Sequence, residues 1–206
     1  MTITLFEFAP TRSARARWTL LELGLPFESI EGRDVFKHEA LGNVHPLRKL
    51  PAMVDDGRPL FESAAICTWL ADRQPEKGLI ARSGTWQRAL HDQWVAFTLA
   101  ELEANLWVTA RNLFIYPEEK RVPQIFEQNA EEAKRALAVF DHHLEGRSWL
   151  IDERFSVTDI FVGYAINWAR LQGLAAALPN VTAYCARLLD RPLCPYQKER
   201  SLPATA

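Results

Sequence analysis

Cysteine is scarce in this chain, which has only three among 206 residues: Cys67, Cys185 and Cys194. The number is odd, and no two of the three form a Cys-x-x-Cys pair. These features argue against a disulfide framework or a zinc site, and they favour a reducing, cytoplasmic environment. The histidines predicted to lie on helices have no metal-ligand partners, so we expect no bound metal.

An excess of charge and a long apolar run are also missing. The formal net charge is -2 and the sequence pI is about 6.2, which leaves no strong field to attract nucleic acid or an anionic membrane. No apolar stretch approaches the ~20 residues of a membrane span. No basic flank with an apolar core precedes the strand-like run that begins at Thr2, so we expect no signal peptide.

The composition that remains is typical of a globular protein. Hydrophobic residues make up 48% of the chain and charged residues 24%, with seven Trp and eleven Phe. We therefore expect a substantial core, in one large domain or two small ones. We find no internal repeat.

Strand and helix patterns alternate at the start of the chain. Residues 2–8 alternate with period two and predict a strand, and residues 12–23 have helical apolar spacing that ends at Gly24. Residues 26–30 predict a second strand, which would run parallel to the first. A short helix is expected near 35–41.

A hairpin and a helix complete this unit. Residues 50–54 and 59–61 predict two short strands, and Asp55-Asp56-Gly57 between them is a hairpin turn signal. A helix is predicted from Glu62 to about Arg73. The order βαβαββα is that of the thioredoxin-like fold.

The second half of the sequence predicts helices alone. Residues 75–84 are the best linker candidate, and they separate a thioredoxin-like domain at 1–77 from an all-helical C-terminal bundle at 85–206. Periodic apolar positions then predict four helices. These are a long helix over 85–115, one over 122–144, one after Ser156 and one over 179–189.

Four stretches in this order resemble glutathione S-transferases, and together they span nearly the whole chain. The resemblance is to bacterial members of the cytosolic superfamily with a Ser or Thr at the active site. The stretches are the loop and helix start at 8–18, Leu50-Pro51 with the hairpin through Gly57, Phe61-Glu62-Ser63-Ala64-Ala65-Ile66, and Phe155-Ser156-Val157-Thr158-Asp159-Ile160.

The resemblance implies an activity and a set of partners. Glutathione would be the co-substrate, and its thiolate would be transferred to a small hydrophobic electrophile. Relatives are usually homodimers, so the third helix and the long fourth helix are the expected interface. Two alternatives stay open: glutathione-dependent disulfide reduction or isomerisation, which Thr11 in its loop motivates, and a non-catalytic interaction module.

The resemblance also assigns residues that hold glutathione. Glu62 and Ser63 begin a helix, where free N–H groups and the helix dipole favour the γ-glutamyl carboxylate. The Glu62 carboxylate would face the amine. Pro51, if its peptide bond is cis, would present the backbone of Leu50 for strand-like pairing with glutathione. Lys49 is the preferred holder of the glycyl carboxylate, with Arg48 and His38 as weaker candidates.

The thiol needs a group that stabilises its ionised form. No Tyr or Cys occurs from Phe8 to Trp18. Thr11 and Ser13 are therefore the catalytic candidates, and we favour Ser13 slightly, although either hydroxyl could simply cap the first helix. Arg12 between them would add positive potential.

The electrophile pocket is the least specified part of the site. Trp107, Arg111, Asn112 and Tyr116 on the long helix are the candidate walls. A stripe of Trp on a helix is nevertheless more often part of a core.

Some chemically suggestive residues have simpler structural interpretations. Ser156 and Asp159 match a helix capping box and are not expected to be catalytic. Cys67 and Cys185 are expected to be core residues.

Overall fold

The computed structural model describes residues 2–196. Its four strands form one sheet in the order β2-β1-β3-β4. The strands are β1 (Ile3–Phe6), β2 (Glu28–Ile30), β3 (Ala52–Asp55) and β4 (Arg58–Phe61). β1 pairs in parallel with β2 and antiparallel with β3, and β3 pairs antiparallel with β4. The predicted βαβ unit with a following hairpin is confirmed.

Three helices complete the first unit. They are α1 (Ser13–Leu23), α2 (Glu39–Val44) and α3 (Ser63–Asp72). The single helix predicted over 35–41 is wrong in detail, because a 3₁₀ turn at Arg33–Lys37 precedes α2. The βαβαββα order of the predicted thioredoxin-like fold is nevertheless confirmed.

Turn chemistry sets two of the boundaries. Gly24 ends α1 with a φ of 67°, a left-handed conformation that suits glycine. Asp56 and Gly57 connect β3 and β4 with φ values of 46° and 79°. Two consecutive positive φ values are typical of a two-residue hairpin turn, so the predicted turn is confirmed.

The sheet has a packed layer on each face. Because side chains alternate along a strand, Ile3 and Leu5 face α1 and α3, while Phe6 faces the opposite side. There Phe6 packs against Val35 and Leu41 from the 3₁₀ turn and α2. The first layer continues without a break into the core of the helical half.

Within the described residues, the chain beyond β4 is helical and contains no strand. The helices of this half are α4 (Trp86–Phe97), α5 (Ala104–Phe114), α6 (Phe126–His143), α7 (Val157–Leu171) and α8 (Pro179–Leu189). α7 lies at the centre and contacts α1, α3, α4 and α8. The predicted all-helical C-terminal part is confirmed. The proposed domain bounds, 1–77 and 85–206, stay predictions, and the second reaches past the described residues.

A π-helical turn at Thr98–Glu103 joins α4 to α5. The sequence predicted one regular helix over 85–115, and the wider π-turn shifts the faces that follow it. Leu102 and Glu103 are both buried here. A carboxylate thereby enters the interior, where charged side chains are rarely found unless they are paired.

Three simpler predictions are also confirmed. Ser156 accepts a hydrogen bond from the Thr158 N–H, and Asp159 accepts one from the Ser156 N–H, which completes a capping box at the start of α7. Cys67 and Cys185 are buried in the core. Burial raises the pKa of the Cys67 thiol to about 11 and that of Cys185 to about 12.

Candidate active site

A cavity of about 240 Å³ lies between the sheet-containing unit and the helical half. Its walls come from the loop before α1, the segment between α2 and β3, the start of α3, and the region around the π-turn. The lining residues are Arg12, His45, Lys49, Leu50, Pro51, Glu62, Ser63, Leu99, Glu103, Ala104 and Trp107.

The cavity brings together seven residues that the sequence predicted for the site. They are Arg12, Lys49, Leu50, Pro51, Glu62, Ser63 and Trp107. Residues from four separate parts of the chain therefore converge on one space. Sequence reasoning missed the other four lining residues, His45, Leu99, Glu103 and Ala104.

The Leu50-Pro51 peptide bond is cis, as the resemblance implied. Leu50 is half-buried and lies on the cavity wall, next to the exposed Lys49. Arg48 does not line the cavity. Its guanidinium donates to the carbonyl oxygens of His38 at 2.8 Å and Phe36 at 3.3 Å, so Arg48 braces the preceding segment.

The start of α3 borders the cavity. Glu62 occupies the N-cap position with a φ of 71° and a ψ of 119°, and its side chain makes no capping hydrogen bond. Ser63 is the first helical residue and is 5% exposed. Its hydroxyl accepts a hydrogen bond from Arg15 Nη1 at 3.2 Å. The helix start therefore keeps its backbone donors free of side-chain caps.

A buried carboxylate links two arginines beside the cavity. Glu103 accepts hydrogen bonds from Arg12 Nε on one oxygen and from Arg15 Nη2 on the other. Arg15 is completely buried, and its Nε donates to the Phe161 carbonyl oxygen at 2.9 Å. Burial alone would raise the pKa of Glu103, but the two guanidiniums outweigh it and lower that pKa below its ordinary value. Glu103 is therefore ionised at neutral pH.

The guanidinium of Arg12 lies against aromatic rings. Its carbon is 4.4 Å from the centroid of Trp107 and 5.4 Å from that of Trp168. Both distances are within the range of a cation–π contact. The side chain is 23% exposed and lines the cavity, so a fixed positive charge faces this space.

His45 adds a second polar group that sequence reasoning missed. Its Nδ1 accepts a hydrogen bond from the Leu47 N–H at 3.1 Å, which places the proton of the neutral ring on Nε2. Burial lowers the pKa of His45 from 6.5, Glu62 opposes this, and Lys49 adds to it. A neutral His45 with an Nε2 proton can donate a hydrogen bond.

The two candidate catalytic hydroxyls do not line the cavity. Thr11 Oγ1 and Ser13 Oγ are hydrogen-bonded to each other at 2.8 Å. Ser13 is 1% exposed, and its Oγ also accepts from the Phe8 N–H at 3.1 Å and donates to the Phe8 carbonyl at 3.2 Å. Thr11 is half-buried and accepts from the Ser13 N–H.

Three of the predicted electrophile contacts also lie outside the cavity wall. Asn112 uses both atoms of its amide inside the protein, donating to the Val108 carbonyl and accepting from the Val122 N–H. The Arg111 guanidinium is 5.6 Å from the Tyr116 ring centroid and 5.9 Å from that of Trp107. The roles of Arg111, Asn112 and Tyr116 stay predictions.

Two of the missed residues have little in the sequence to mark them as part of a site. Glu103 lies four residues after Leu99 and three before Leu106, so helical spacing puts it beside their apolar face, and only its charge argued against a buried position. His45 precedes Pro46 in an irregular stretch and belongs to no motif that the sequence suggested. The acceptor role of its Nδ1 depends on the local turn that directs the Leu47 N–H, two residues later, at the ring.

Known proteins show the same two-part organisation. Residues 11–73 match the family described as glutathione S-transferase, N-terminal domain, and residues 104–192 match its C-terminal domain. The disulfide-bond oxidoreductase YfcG of Escherichia coli is 31% identical over 165 residues, which cover 76% of this chain and 74% of YfcG. The chain belongs to the glutathione S-transferase superfamily. Whether this transferase-family member is of the Ser/Thr type stays a prediction.

Solved structures agree with this assignment. A glutathione transferase from Methylococcus capsulatus superposes with a TM-score of 0.80 at 27% identity, covering 93% of this chain and 95% of its own. One from Burkholderia graminis, solved with two glutathione molecules bound per subunit, has a TM-score of 0.79 at 26% identity, covering 94% of this chain and 85% of its own.

An elongation factor is also similar to this chain. Elongation factor 1-gamma of Danio rerio is 38% identical over 160 residues, which cover 74% of this chain. The chain spans about a third (34%) of the length of that elongation factor. The similarity therefore concerns one part of elongation factor 1-gamma.

Two further features concern residues 2–196. Over that range, no group of three or more His, Cys, Asp or Glu side chains is placed to hold a metal ion. Over the same range, no helix combines the length and the apolar character needed to cross a bilayer.

Proposed function

We propose that the cavity binds glutathione and that the protein transfers the glutathione thiolate to small hydrophobic electrophiles. The observation that carries this proposal is the composition of the cavity wall. It groups two side-chain cations, two carboxylates, a helix start and the backbone that leads into β3 around one space of about 240 Å³. Glutathione has two carboxylates, an amine, a thiol and an extended backbone that complement those groups.

We propose one direction for the tripeptide along the cavity wall. The γ-glutamyl carboxylate would accept hydrogen bonds from the backbone and hydroxyl at the start of α3, around Ser63. The amine would face Glu62, and the cysteinyl backbone would pair with Leu50. Lys49 would then hold the glycyl carboxylate, with the His45 Nε2 proton as an additional donor.

The thiol would ionise near the start of α1. Hydrogen bonding to the thiolate and a nearby cation both favour the ionised form. The contacts favour Thr11 over Ser13 as the hydroxyl donor, since Thr11 is half-buried whereas the Ser13 hydroxyl is buried and engaged with Phe8. Arg12 would supply the positive charge.

Binding and transfer are tested separately. Isothermal titration calorimetry with glutathione measures the first, and conjugation of glutathione to an aromatic halide measures the second. We expect Lys49→Met to weaken glutathione binding about tenfold, the loss of one charge-assisted hydrogen bond. Lys134→Met removes an equal charge from an exposed site on α6 and should bind like the unmodified protein. Well-folded protein that neither binds nor conjugates glutathione would refute the proposal.

Disulfide reduction is the second candidate activity. The loop Phe8-Ala9-Pro10-Thr11 motivates it, and the relative YfcG is named a disulfide-bond oxidoreductase. The bound thiolate would attack one sulfur of a disulfide and release the other as a thiolate, and a second glutathione would resolve the mixed disulfide. Turnover of hydroxyethyl disulfide, exceeding conjugation of the aromatic halide, would favour this activity.

A non-catalytic interaction module is the third candidate. The 38% identity to elongation factor 1-gamma motivates it. Under this proposal the fold would be kept and the chemistry lost. Calorimetry that detects no glutathione binding by a well-folded sample would favour it over both enzymatic proposals.

The proposed active form is a homodimer. A groove of about 470 Å³ lies between α3 and α4, and Trp69 and Leu99 on its rim are 39% and 41% exposed. This groove coincides with the helices that the resemblance implies for the dimer interface. Multi-angle light scattering should give twice the chain mass, and Trp69→Glu should shift the sample toward monomer.

A further inference from the structure

We propose that Glu103 is a positioning residue for the glutathione site, holding the Arg12 guanidinium at the cavity and bracing the start of α3 through Arg15. The inference rests on the proposed function, because it concerns the same cavity. It assigns a role to a residue in the helical half that no sequence motif indicated.

The geometry of the Glu103 carboxylate is the first step. Each oxygen accepts from a different arginine, Oε1 from Arg12 Nε and Oε2 from Arg15 Nη2. The carboxylate side chain is only 4% exposed. A buried carboxylate is costly unless it is paired, and here both oxygens are paired with cations. Glu103 is thus fixed in a single orientation by partners on α1 and the loop before it.

The contact between Glu103 and Arg12 connects the carboxylate to the cavity. Arginine side chains are long and sample many rotamers when they are free at a surface. Arg12 is instead held by Glu103 on one side and by the Trp107 ring, 4.4 Å from its guanidinium carbon, on another. Arg12 also lines the cavity. A cation fixed before the ligand arrives costs less entropy on binding than one that must be ordered.

The contact between Glu103 and Arg15 connects the carboxylate to the start of α3. Arg15 Nη2 contacts Glu103, while Nη1 of the same planar group donates to Ser63 Oγ at 3.2 Å. Because the guanidinium is rigid and Arg15 is completely buried, moving Glu103 would move the donor that orients the Ser63 hydroxyl. One carboxylate therefore supports two different parts of the cavity wall.

The π-turn explains how Glu103 reaches this place. Thr98–Glu103 forms the turn, and Glu101 within it is exposed while Glu103 is 3% exposed. Two acidic residues in one turn thus have opposite environments. Glu101 provides a matched control, since Glu101→Gln changes the net charge as Glu103→Gln does without touching either arginine.

Two physical effects of Glu103 predict opposite results. If the carboxylate acts only through its charge, removing it makes the cavity more positive and tightens the binding of anionic glutathione. If it acts by positioning Arg12, removing it frees that cation and weakens binding. We expect Glu103→Gln to weaken glutathione binding about tenfold and to raise the pKa of the bound thiol.

A double-mutant cycle with Arg12→Gln tests the route of action. Arg12→Gln alone should also weaken glutathione binding about tenfold. If Glu103 acts through Arg12, the double variant should lose about tenfold and not about a hundredfold. Calorimetry gives the dissociation constants, and the ultraviolet absorbance of bound thiolate against pH gives the thiol pKa.

A milder variant serves as the control for loss of folding. Glu103→Asp keeps the charge beside the buried Arg15 but is one methylene too short to contact both arginines. It should retain most of the melting temperature while losing glutathione affinity, and it takes the place of Glu103→Gln in the cycle if that variant does not fold.

The outcomes separate this inference from the proposed function. Absence of glutathione binding by the unmodified protein refutes the proposed function and the inference with it. Normal binding by the unmodified protein, with Glu103→Gln and Glu103→Asp both binding like Glu101→Gln or more tightly, refutes the inference alone. Additive losses in the cycle also refute it.

Discussion

The hydroxyl oxygens of Thr11 and Ser13 lie 2.8 Å apart, so one of these side chains donates its proton to the other. The single Ser13 proton goes either to the Phe8 carbonyl or to Thr11. Only when it goes to Thr11 is the Thr11 proton free to point toward a thiolate, and the bond that Thr11 then accepts strengthens it as a donor. In either state Ser13 Oγ accepts from the Phe8 N–H, which ties Ser13 to the loop. We therefore expect Thr11 to donate to the ligand and Ser13 to hold the loop in place.

We predict different losses when each hydroxyl is removed. Thr11→Val should lower kcat/KM for aromatic-halide conjugation by about 10- to 100-fold, the loss of one hydrogen bond to a charged group. It should leave the glutathione dissociation constant nearly unchanged, and Thr11→Ser should restore most of the rate. Ser13→Ala should mainly lower the free energy of unfolding, by about 1–3 kcal/mol, because it leaves the Phe8 N–H without its partner.

Steady-state kinetics and urea unfolding distinguish the two roles. The larger rate loss in Ser13→Ala, with Thr11→Val close to the unmodified protein, would reverse the assignment and restore Ser13 as the catalytic hydroxyl.

The capping box of α7 should matter for stability alone. Ser156→Ala should cost about 1 kcal/mol of unfolding free energy, the usual value for an N-cap. Asp159→Ala should cost more, about 3 kcal/mol, because Asp159 is fully buried and accepts from the N–H groups of Leu150 and Ser156 and from the Tyr184 hydroxyl. Saturated turnover of the folded fraction should be unchanged in both, as urea unfolding and initial rates will show. A large fall in turnover with unaltered unfolding would contradict a purely structural role.

His91 should make the protein less stable in acid. Its two ring nitrogens bond to Thr68 and Thr158 at 3.1 Å and 2.9 Å, and burial lowers its pKa from 6.5 to about 4. Between about pH 6.5 and pH 4 the His91 ring is protonated in the unfolded chain but neutral in the folded chain. The free energy of unfolding therefore falls as the pH drops through this range. We expect a loss of about 3 kcal/mol from His91 between pH 7 and pH 4.

Asp159 acts in the opposite direction over part of the same range. Burial raises the pKa of Asp159 to about 6, outweighing its hydrogen bonds, so the folded chain binds a proton that the unfolded chain releases. Its contribution to stability therefore falls as pH rises through 6. The pH dependence of the unmodified protein is the sum of these opposing effects.

The variant His91→Gln isolates the histidine. Urea unfolding at pH 7 and pH 4 should show that this variant loses about 3 kcal/mol less on acidification than the unmodified protein. Equal losses in the two proteins would mean that His91 titrates normally.

Much of this fold was predictable because its signals are local. Gly24, the Asp56-Gly57 turn and the Ser156 capping box each fix a boundary through the conformation or hydrogen bonds of a few neighbouring residues. The order of strands and helices between them then specifies the thioredoxin-like unit. The residues that we propose for glutathione binding came from the family resemblance, since Pro51 and Ser63 belong to its short motifs.

The residues that escaped prediction depend on distant partners. Arg15 is a cation on α1, yet it is completely buried because Glu103 and the Phe161 carbonyl satisfy its guanidinium. Those partners are 88 and 146 positions away in the sequence. The π-turn that delivers Glu103 has no local signature.

The backbone of Glu62 offers the last prediction. A non-glycine residue at a φ of 71° is strained by about 1–3 kcal/mol, and such strain collects at functional sites. Glu62→Gly should relieve part of it and raise the unfolding free energy by about 1 kcal/mol. The same change removes the carboxylate that we propose for the glutathione amine, so binding should weaken about tenfold.

Glu62→Ala separates the two effects of that substitution, because it removes the same carboxylate but keeps the Cβ that causes the strain. Both variants should bind glutathione equally weakly in calorimetry, whereas only Glu62→Gly should gain stability in urea unfolding. Equal stabilities would show that the Cβ is not strained at this position. Undiminished binding by both would instead show that the amine is held elsewhere and that Glu62 keeps its conformation for the helix start alone.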